Sequence, residues 1–516
     1  MQKKDFPLYE EVIQNIFFRV YFSNFQMHTQ HIQGLEALEA RLRQDLAWLD
    51  MPAKPWMIKK AVDGQAVLDV AIIGAGMAGL TVGTALTHIG ISPVLFDRAP
   101  AGYEGPWVTT ARMETLRSPK QLTGPALGLP GLTFRAWFEA QFGLAAWEAL
   151  DKIARTQWME YLRWYRKVTG LDIRNEHNVL QLNPRDDQLV ELVVQGPEGV
   201  KHHLARRVVI ASGRDGLGGP SLPEFAGKVP VHMRAHSSDV LDYRTLINKR
   251  VGVIGAGASA MDSAATALEC GAASVDMLIR RGDIPRVNKA KGAGNPGLTY
   301  GHFDLPDDWK WRIRHYINAQ QVPPPRGSTL RVSKHPNARF NIGCPIEDVQ
   351  IGSSGELRLQ TPKGLFELDF LIFATGFKID WLARPEYAVI AKHTRTWGER
   401  FSYQPKQYDR ELIDSPDLGP AFELQEREAG CCPGLSRIHA FCYPAALSHG
   451  TVSGDIPAIS DGAKRLSQGM ASLFYREDVE THFENLKKFS EPELEGDEWT
   501  VAPPPHAQAH RPEKTP

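Results

Sequence analysis

The sequence of 516 residues has few cysteines, no long apolar run and almost no net charge. Its five cysteines form no CxxC pair and no metal-ligand spacing, so a redox disulfide and a metal centre are not predicted, and reduced thiols in the cytoplasm are favoured. No segment approaches the ~20 apolar residues of a membrane span, so we expect a soluble protein. The net charge of −1 provides no basic surface for nucleic acid.

One short motif occurs twice, at residues 70–80 (VAIIGAGMAGL) and 251–261 (VGVIGAGASAM). In the first copy, an apolar and partly β-branched run predicts a buried parallel strand. Gly74 permits the tight turn, Gly76 lets a pyrophosphate approach the backbone, and Gly79 lets the next helix pack on the strand. The N-terminus of that helix would bind the phosphates. Two copies in one chain predict two dinucleotide-binding domains.

The residue at the end of the following strand distinguishes the two copies. PVLFDR places Asp97 where an acid accepts hydrogen bonds from the ribose of FAD or NAD. In the second copy SVDMLIRR ends in Arg280 and Arg281, whose guanidinium groups favour the 2′-phosphate of NADPH. The alternative is that these arginines only solvate a strand end. The other candidates at the second turn are Gly255, Gly257, Ser259 and Ala260.

An apolar stripe precedes the first motif. It consists of Leu35, Leu38, Leu42, Leu46 and Leu49, at spacings of three and four residues, which predicts one face of a helix. We expect this helix to dock on the main body. The alternative is a helix that forms a homodimer.

From about residue 68 to residue 470 the sequence resembles the class B flavoprotein monooxygenases, which include flavin-containing monooxygenases, N-hydroxylases and Baeyer–Villiger enzymes. The two glycine-rich turns match the FAD and NADPH fingerprints of that family. GPW resembles its Gly–x–Trp segment and implies that Trp107 lies near FAD. DFLIFATGF, Asp369–Phe377, matches another family motif and adds Thr375 and Gly376 to the cofactor-binding candidates.

The resemblance departs from the family pattern at two places. In FAGKVPVHMRAHSS the family histidine is displaced, so His232 or His236 is its counterpart, and the HSS sequence makes His236 the better candidate. The absence of a following Trp lowers the Baeyer–Villiger alternative. TLRSPKQLTGP has Ser118 and Lys120 in a flavin-facing stretch where the family often has Asn. GDIPAISDGAKRL resembles a group that contains amino-acid N-oxygenases and urate-type hydroxylases.

The resemblance implies an α/β fold of two Rossmann-like dinucleotide-binding domains, for FAD and NADPH, with the second inserted in the first and a helical N-terminal extension. The expected segments are the extension (1–66), the first part of the FAD domain (67–220), the NADPH domain (221–377), the returning FAD segment (378–489) and a Pro-rich disordered tail (490–516).

The resemblance also implies the chemistry. NADPH reduces the flavin, the reduced flavin captures O2 as a C4a-hydroperoxide, and one oxygen passes to a small nucleophilic substrate. N-hydroxylation of an amine or amino acid is favoured. S-oxygenation, Baeyer–Villiger reaction, urate-type hydroxylation and an oxidoreductase or oxidase without oxygen transfer are the alternatives.

Three polar residues are candidates near the flavin, each with a structural alternative. Lys120 would anchor a carboxylate or a developing anion, or is a solvated loop lysine. His449 would line the active site, or is a satisfied buried histidine. Asp455 would contact the flavin and cap the following helix.

Overall fold

The computed structural model describes residues 34–502. The strands, in chain order, are β1 Ala61–Val62, β2 Gln65–Ala66, β3 Leu68–Ile73, β4 Pro93–Phe96, β5 Asp172–Arg174, β6 Asn178–Pro184, β7 Val190–Gly196, β8 Gly199–Ile210, β9 Gly218–Pro220, β10 Arg234–His236, β11 Arg250–Ile254, β12 Ser274–Ile279, β13 Ala338–Ile342, β14 Asp348–Ile351, β15 Leu357–Thr361, β16 Gly364–Leu368, β17 Phe370–Phe373, β18 Phe377–Ile379 and β19 Ile438–Ala440. The α-helices are α1 Gly34–Trp48, α2 Met77–His88, α3 Phe134–Ala149, α4 Arg155–Thr169, α5 Ala258–Glu269, α6 Lys289–Ala293, α7 Pro296–Gly301, α8 Asp307–Gln320, α9 Arg326–Ser333, α10 Ala388–Ala391, α11 Trp397–Arg400, α12 Arg410–Asp414, α13 Ala446–His449, α14 Ile459–Glu477 and α15 Val479–Lys488. None of these helices is long and apolar enough to cross a membrane.

The first sheet is built on β3, the strand that precedes the first glycine-rich turn. Its order is β5-β4-β3-β8-β7-β6, and β19 also pairs with β8. The pairs around β3, β4, β5, β8 and β19 are parallel, whereas β6 and β7 are antiparallel additions. The central strand is buried through Val70, Ala71 and Ile72, as an apolar run between two parallel neighbours requires.

The second sheet is parallel throughout and is built on β11, the strand of the second motif. Its order is β10-β17-β11-β12-β13. All its strands fall in the chain between β8 and β19 of the first sheet. The antiparallel pair β9 and β18 lies in the two segments that connect the first sheet to the second. A three-stranded antiparallel sheet, β14-β15-β16, extends this part.

This arrangement confirms the predicted α/β fold with two Rossmann-like units, the second inserted in the first, and a helical N-terminal segment. Both sheets lie in one compact unit that ends at Ala471, so the exact domain bounds stay a prediction. The second unit, Ser472–Pro516, contains α15, and residues 489–502 have no helix or strand. Residues 1–33 and 503–516, which include parts of the predicted extension and tail, lie outside the described residues.

The leucine stripe forms one face of α1. Leu38 and Leu42 are fully buried in a core with aromatic residues of α3 and α4, and Leu35 and Leu46 pack at its edge. Leu49 is 52% exposed. The inner residues of the stripe therefore contact the chain's own core, as in the docked-helix prediction, and dimerisation through this helix stays a prediction.

Replacing Leu42 with Ala should lower the free energy of unfolding by about 2–5 kcal/mol, because the substitution removes buried methyl groups and leaves a cavity. The matched control is Leu49→Ala, which removes the same atoms from an exposed site. Chemical denaturation of both variants is the measurement. Equal destabilisation by the two substitutions would contradict the docking of α1.

Candidate active site

The three glycines of the first turn have different structural duties. Gly74 has φ of +102°, and a Cβ there would lie 2.7 Å from the carbonyl oxygen of Ala211 at the end of β8. A Cβ on Gly79 would collide with the carbonyl oxygen of Gly74. At Gly76, by contrast, the nearest atoms to a Cβ are those of Gly105 at 3.8 Å. The fold itself therefore requires Gly74 and Gly79, whereas Gly76 leaves room that a pyrophosphate fits.

Asp97 follows β4, and its side chain contacts the first glycine-rich turn. Its carboxylate accepts hydrogen bonds from the amides of Ala75 at 2.7 Å and Ala99 at 2.8 Å. Burial raises the pKa of Asp97, and the two amides partly oppose that rise. Because a carboxylate oxygen can accept more than one hydrogen bond, the ribose contact predicted for Asp97 is compatible with this role.

The glycines of the second turn differ in the same way: Gly255 is closely packed, and Gly257 is open. Gly255 has φ of +126°, and a Cβ there would lie 2.5 Å from the carbonyl oxygen of Ala374, which follows β17. Ala260 is buried against the strand, which explains why a methyl group is tolerated there. A Cβ on Gly257 would meet no atom within 4 Å, and Ser259 is exposed in the first turn of α5. The open side of this turn again fits a phosphate.

Both helices that follow the turns begin at an uncapped glycine. Neither Gly76 at α2 nor Gly257 at α5 provides a side-chain cap, and the first turns contain no acidic residue. No side chain therefore caps the N–H groups at these two helix starts, and the helix dipole makes each of them favourable for an anion.

Arg280 and Arg281 lie immediately after β12, on the side of the second turn. Arg280 is exposed and Arg281 half-buried. The backbone oxygen of Arg281 accepts from Gly343 at 2.6 Å. Within residues 34–502 neither guanidinium forms an ion pair or a hydrogen bond. Both groups are thus available for a phosphate, as the sequence predicts.

Thr375 and Gly376 lie between β17 and the strap formed by β9 and β18. The Thr375 hydroxyl donates to the carbonyl oxygen of Ser221, and the Ser221 amide donates to the Gly376 oxygen at 2.9 Å. These two hydrogen bonds join the segment that follows β9 to the segment that precedes β18. A contact of either residue with a cofactor stays a prediction.

The two histidines left open by the sequence lie in different surroundings. His232 is exposed in a 3-10 turn. His236 is buried at the end of β10, with Nδ1 2.7 Å from the Ser238 hydroxyl and its ring edge-on to Phe377. Because His236 ends a parallel strand beside the strap, it is the better counterpart of the family histidine.

Trp107 borders an aromatic core beneath the first turn. Its ring meets that of Trp158 edge to face at 6.2 Å, and Arg155 donates to its backbone oxygen at 2.5 Å. Among residues 34–502 the buried indole N–H of Trp158 has no hydrogen-bond partner. Ser118, another residue of the candidate flavin-facing stretch, is half-buried. The core beside Trp107 consists of aromatic and aliphatic side chains.

Lys120 is engaged in a structural contact. Its ammonium donates to the carbonyl oxygens of Trp147 at 2.7 Å and Glu148 at 3.2 Å, and it lies over the Trp147 ring. These carbonyls are among the last of α3, where a cation is favourable. The ammonium of Lys120 is thus neither fully solvated nor free to anchor a substrate without losing these contacts. Its predicted contact with substrate stays a prediction.

His449 is fully buried at the end of α13. Its Nε2 donates to the carbonyl oxygen of Gly419 at 2.9 Å, and its ring stacks between Phe422 and Phe303. Burial holds the pKa of His449 well below its usual value, so the ring is neutral at pH 7. This is the satisfied buried histidine of the structural alternative.

Asp455 begins the 3-10 turn Ile456–Ala458, but its side chain makes no capping hydrogen bond, so the predicted cap is absent. The side chain is solvent-accessible in a recessed position. Partial burial raises the pKa of Asp455, and the positive charge of Arg117 opposes this rise.

The structure also brings together a group that the sequence analysis missed. His302, Lys310 and Arg314 are buried against α13, the helix that ends at His449. Lys310 and Arg314 have the four-residue spacing of an ordinary helix face, and His302 lies in the turn before that helix, so only the three-dimensional structure reveals the cluster. Within residues 34–502 no group of three or more His, Cys, Asp or Glu side chains could hold a metal ion, and the five cysteines are free thiols.

Replacing Gly76 with Val should give a folded protein without FAD, because the side chain fills the space beside the turn without meeting the protein's backbone closely. Flavin absorbance per chain and circular dichroism are the measurements. The matched variant is Gly74→Val, which should fail to fold because its Cβ clashes with Ala211. Full flavin occupancy in folded Gly76→Val would contradict the assignment of this turn.

Comparisons with known proteins agree with this fold. Residues 71–292 match a family model described as pyridine nucleotide-disulphide oxidoreductase. An FAD-dependent urate hydroxylase of Xanthomonas campestris pv. campestris is 35% identical over 468 residues, which cover 90% of this chain and 98% of the relative. Two solved structures share the fold: ornithine hydroxylase from Pseudomonas aeruginosa (16% identity, TM-score 0.62, 78% of this chain and 98% of that chain) and L-lysine 6-monooxygenase from Pseudomonas syringae (15%, 0.61, 78% and 99%).

Proposed function

Because this chain belongs to the class B flavoprotein monooxygenase family, together with the FAD-dependent urate hydroxylase, we propose that it hydroxylates urate or a closely related oxopurine. It is a flavin-dependent oxidoreductase. In the proposed reaction FAD is the bound cofactor, NADPH is the reductant and O2 is the oxidant.

The observation that carries this proposal is the 35% identity to a urate hydroxylase across 98% of that relative. N-hydroxylation, which the sequence favours, is the alternative. It rests on the sequence resemblance, since likeness to an ornithine hydroxylase at 16% identity concerns the fold alone. The alternative of electron transfer to a disulfide is weakened because the described cysteines include no CxxC pair.

The two glycine-rich turns are the proposed binding sites for the two cofactors. FAD would place its pyrophosphate at Gly76 and the N-terminus of α2, and its ribose at Asp97. The pyrophosphate of NADPH would lie at Gly257 and the N-terminus of α5, and its 2′-phosphate at Arg280 and Arg281. The bound flavin supplies hydride acceptance and O2 activation, chemistry that no side chain provides.

The chain's own contribution is to hold the two cofactors and to keep water from the reacting centre. The aromatic core that includes Trp107, Trp158 and Phe134 provides one water-excluding wall next to the first turn. No Ser–His or Cys–His pair is needed for oxygen transfer to an electron-rich ring. The predicted cytoplasmic location fits the use of NADPH and the free thiols.

We expect the FAD-loaded enzyme to consume urate and NADPH in equal amounts under O2, with little H2O2. The measurement follows urate and NADPH absorbance together with peroxide, using L-ornithine, L-lysine and a thioether as competing candidates. Coupled turnover of L-ornithine without turnover of urate would replace this proposal by N-hydroxylation. NADPH oxidation that yields only H2O2 with all compounds would contradict both.

Replacing both Arg280 and Arg281 with Ala should reduce the preference for NADPH over NADH by roughly ten- to a hundredfold, because a charge-assisted contact to the 2′-phosphate is lost. Flavin reduction by each cofactor, followed by rapid mixing, gives the ratio. The control is Arg312→Ala, an exposed arginine of α8. An unchanged ratio would remove the pair from the phosphate site.

A further inference from the structure

One buried cation lacks a counter-charge in the part of the chain that the structure describes. Arg314, on the inner face of α8, is 6% exposed, and its side chain forms no ion pair or hydrogen bond there. Its Nε is buried without a partner. A buried unpaired charge is costly, and proteins normally pair it or bind a ligand to it.

The neighbouring acids do not supply the missing charge. Asp307 lies 3.9 Å from the ammonium of Lys310, one helical turn before Arg314, but both of its oxygens accept hydrogen bonds from Arg400 at 2.8 and 3.0 Å. Arg400 also contacts Asp417. Asp307 and Asp417 are therefore already engaged. The third acid of this region, Asp304, is exposed and interacts with Lys310 and Arg465. Lys310 adds a second positive charge on the same helix as Arg314.

A hydrogen-bond acceptor without a donor lies beside this charge. His302 is 1% exposed, and its Nε2 lies 3.0 Å from the carbonyl oxygen of Leu447, so Nε2 carries the proton. Its Nδ1 is then a lone-pair acceptor, and it is buried with no hydrogen-bond partner among the residues that the structure describes. Burial, together with the smaller effects of the charges of Arg314, Lys310 and Arg465, lowers the pKa of His302 to about 4 although the hydrogen bond to Leu447 opposes this shift, so the ring is neutral at pH 7.

The cluster adjoins the segment that the family resemblance places beside the flavin. The His302 ring lies against Gly450, with 3.4 Å between its Cγ and a Cβ built on that glycine. Gly450 ends α13, and the chain then becomes solvent-accessible at Thr451 and at Asp455. His302 thus lies next to a stretch that a substrate can reach, and the charge of Arg314 is near enough to act on this histidine.

We propose that Arg314 and the Nδ1 of His302 recognise the anionic oxygen and a ring N–H of the substrate, and that this cluster selects ionised oxopurines over cationic amines. The inference rests on the proposed function and deepens it. Urate is an anion at neutral pH and has both carbonyl-type oxygens and ring N–H groups. The ammonium side chain of an amino-acid substrate would instead meet the like charges of Arg314 and Lys310, which disfavours it.

Arg314→Met, an apolar replacement of similar length, separates recognition from a structural role. Titration of the oxidised FAD-loaded enzyme with urate should show affinity that is roughly ten- to a hundredfold weaker than in the wild type. Without urate, the variant's unfolding temperature should be equal or higher, because the cost of a buried unpaired ion is removed. Arg312→Met, on the exposed face of the same helix, should change neither quantity.

The remaining outcomes distinguish this inference from the proposed function. Urate turnover with unchanged affinity in Arg314→Met overturns the inference and leaves the function intact, and so does a large loss of thermal stability without a loss of affinity. If the wild type neither binds nor oxidises urate, the function fails. A panel of other ionised heterocycles and aromatic carboxylates, compared with largely neutral hypoxanthine, then decides the inference. Arg314-dependent binding of an anion supports it, and its absence overturns it.

Discussion

The close approach of each glycine-rich turn to the end of a neighbouring strand is the constraint on which the rest of the structure depends. Gly74 lies against Ala211 at the end of β8, and Gly255 lies against Ala374 after β17. A side chain at either glycine would push the turn away from its sheet. Because α2 and α5 start directly after these turns, the same contact also sets the direction of the two helix N-termini, the proposed phosphate-binding positions.

The sequence predicts this part of the molecule well because the constraint is local. A strand, a turn with positive φ and a closely packed helix each demand particular residue types within about ten positions. The sequence does not separate Gly76 from Gly74, however, since both belong to the same motif. Only the environment shows that Gly74 is needed by the backbone and that Gly76 faces open space.

The polar candidates are harder to predict because their partners are remote in the chain. Lys120 bonds to carbonyls at the end of α3, and His449 to Gly419, a residue in an irregular segment. Asp97 is a partial exception, since it is placed by its strand, yet its contacts with the turn amides could not be foreseen. The unpaired state of Arg314 is invisible in the sequence, because it depends on how Arg400 engages the nearby carboxylates.

The same dinucleotide scaffold supports different substrates, so selectivity must come from segments outside the two repeated units. In this chain the connection between β12 and β13 contains α6 to α9 and brings His302 and Arg314 against α13 of the returning segment. A segment inserted in one nucleotide unit thereby contacts a segment that completes the other. In the proposed recognition, the charge of Arg314 acts on the substrate without disturbing either glycine-rich turn, because each turn makes its close contacts within its own sheet. The proposed recognition therefore assigns substrate charge and cofactor binding to different parts of the chain, so Arg314 can be replaced without altering the close contacts of Gly74 and Gly255.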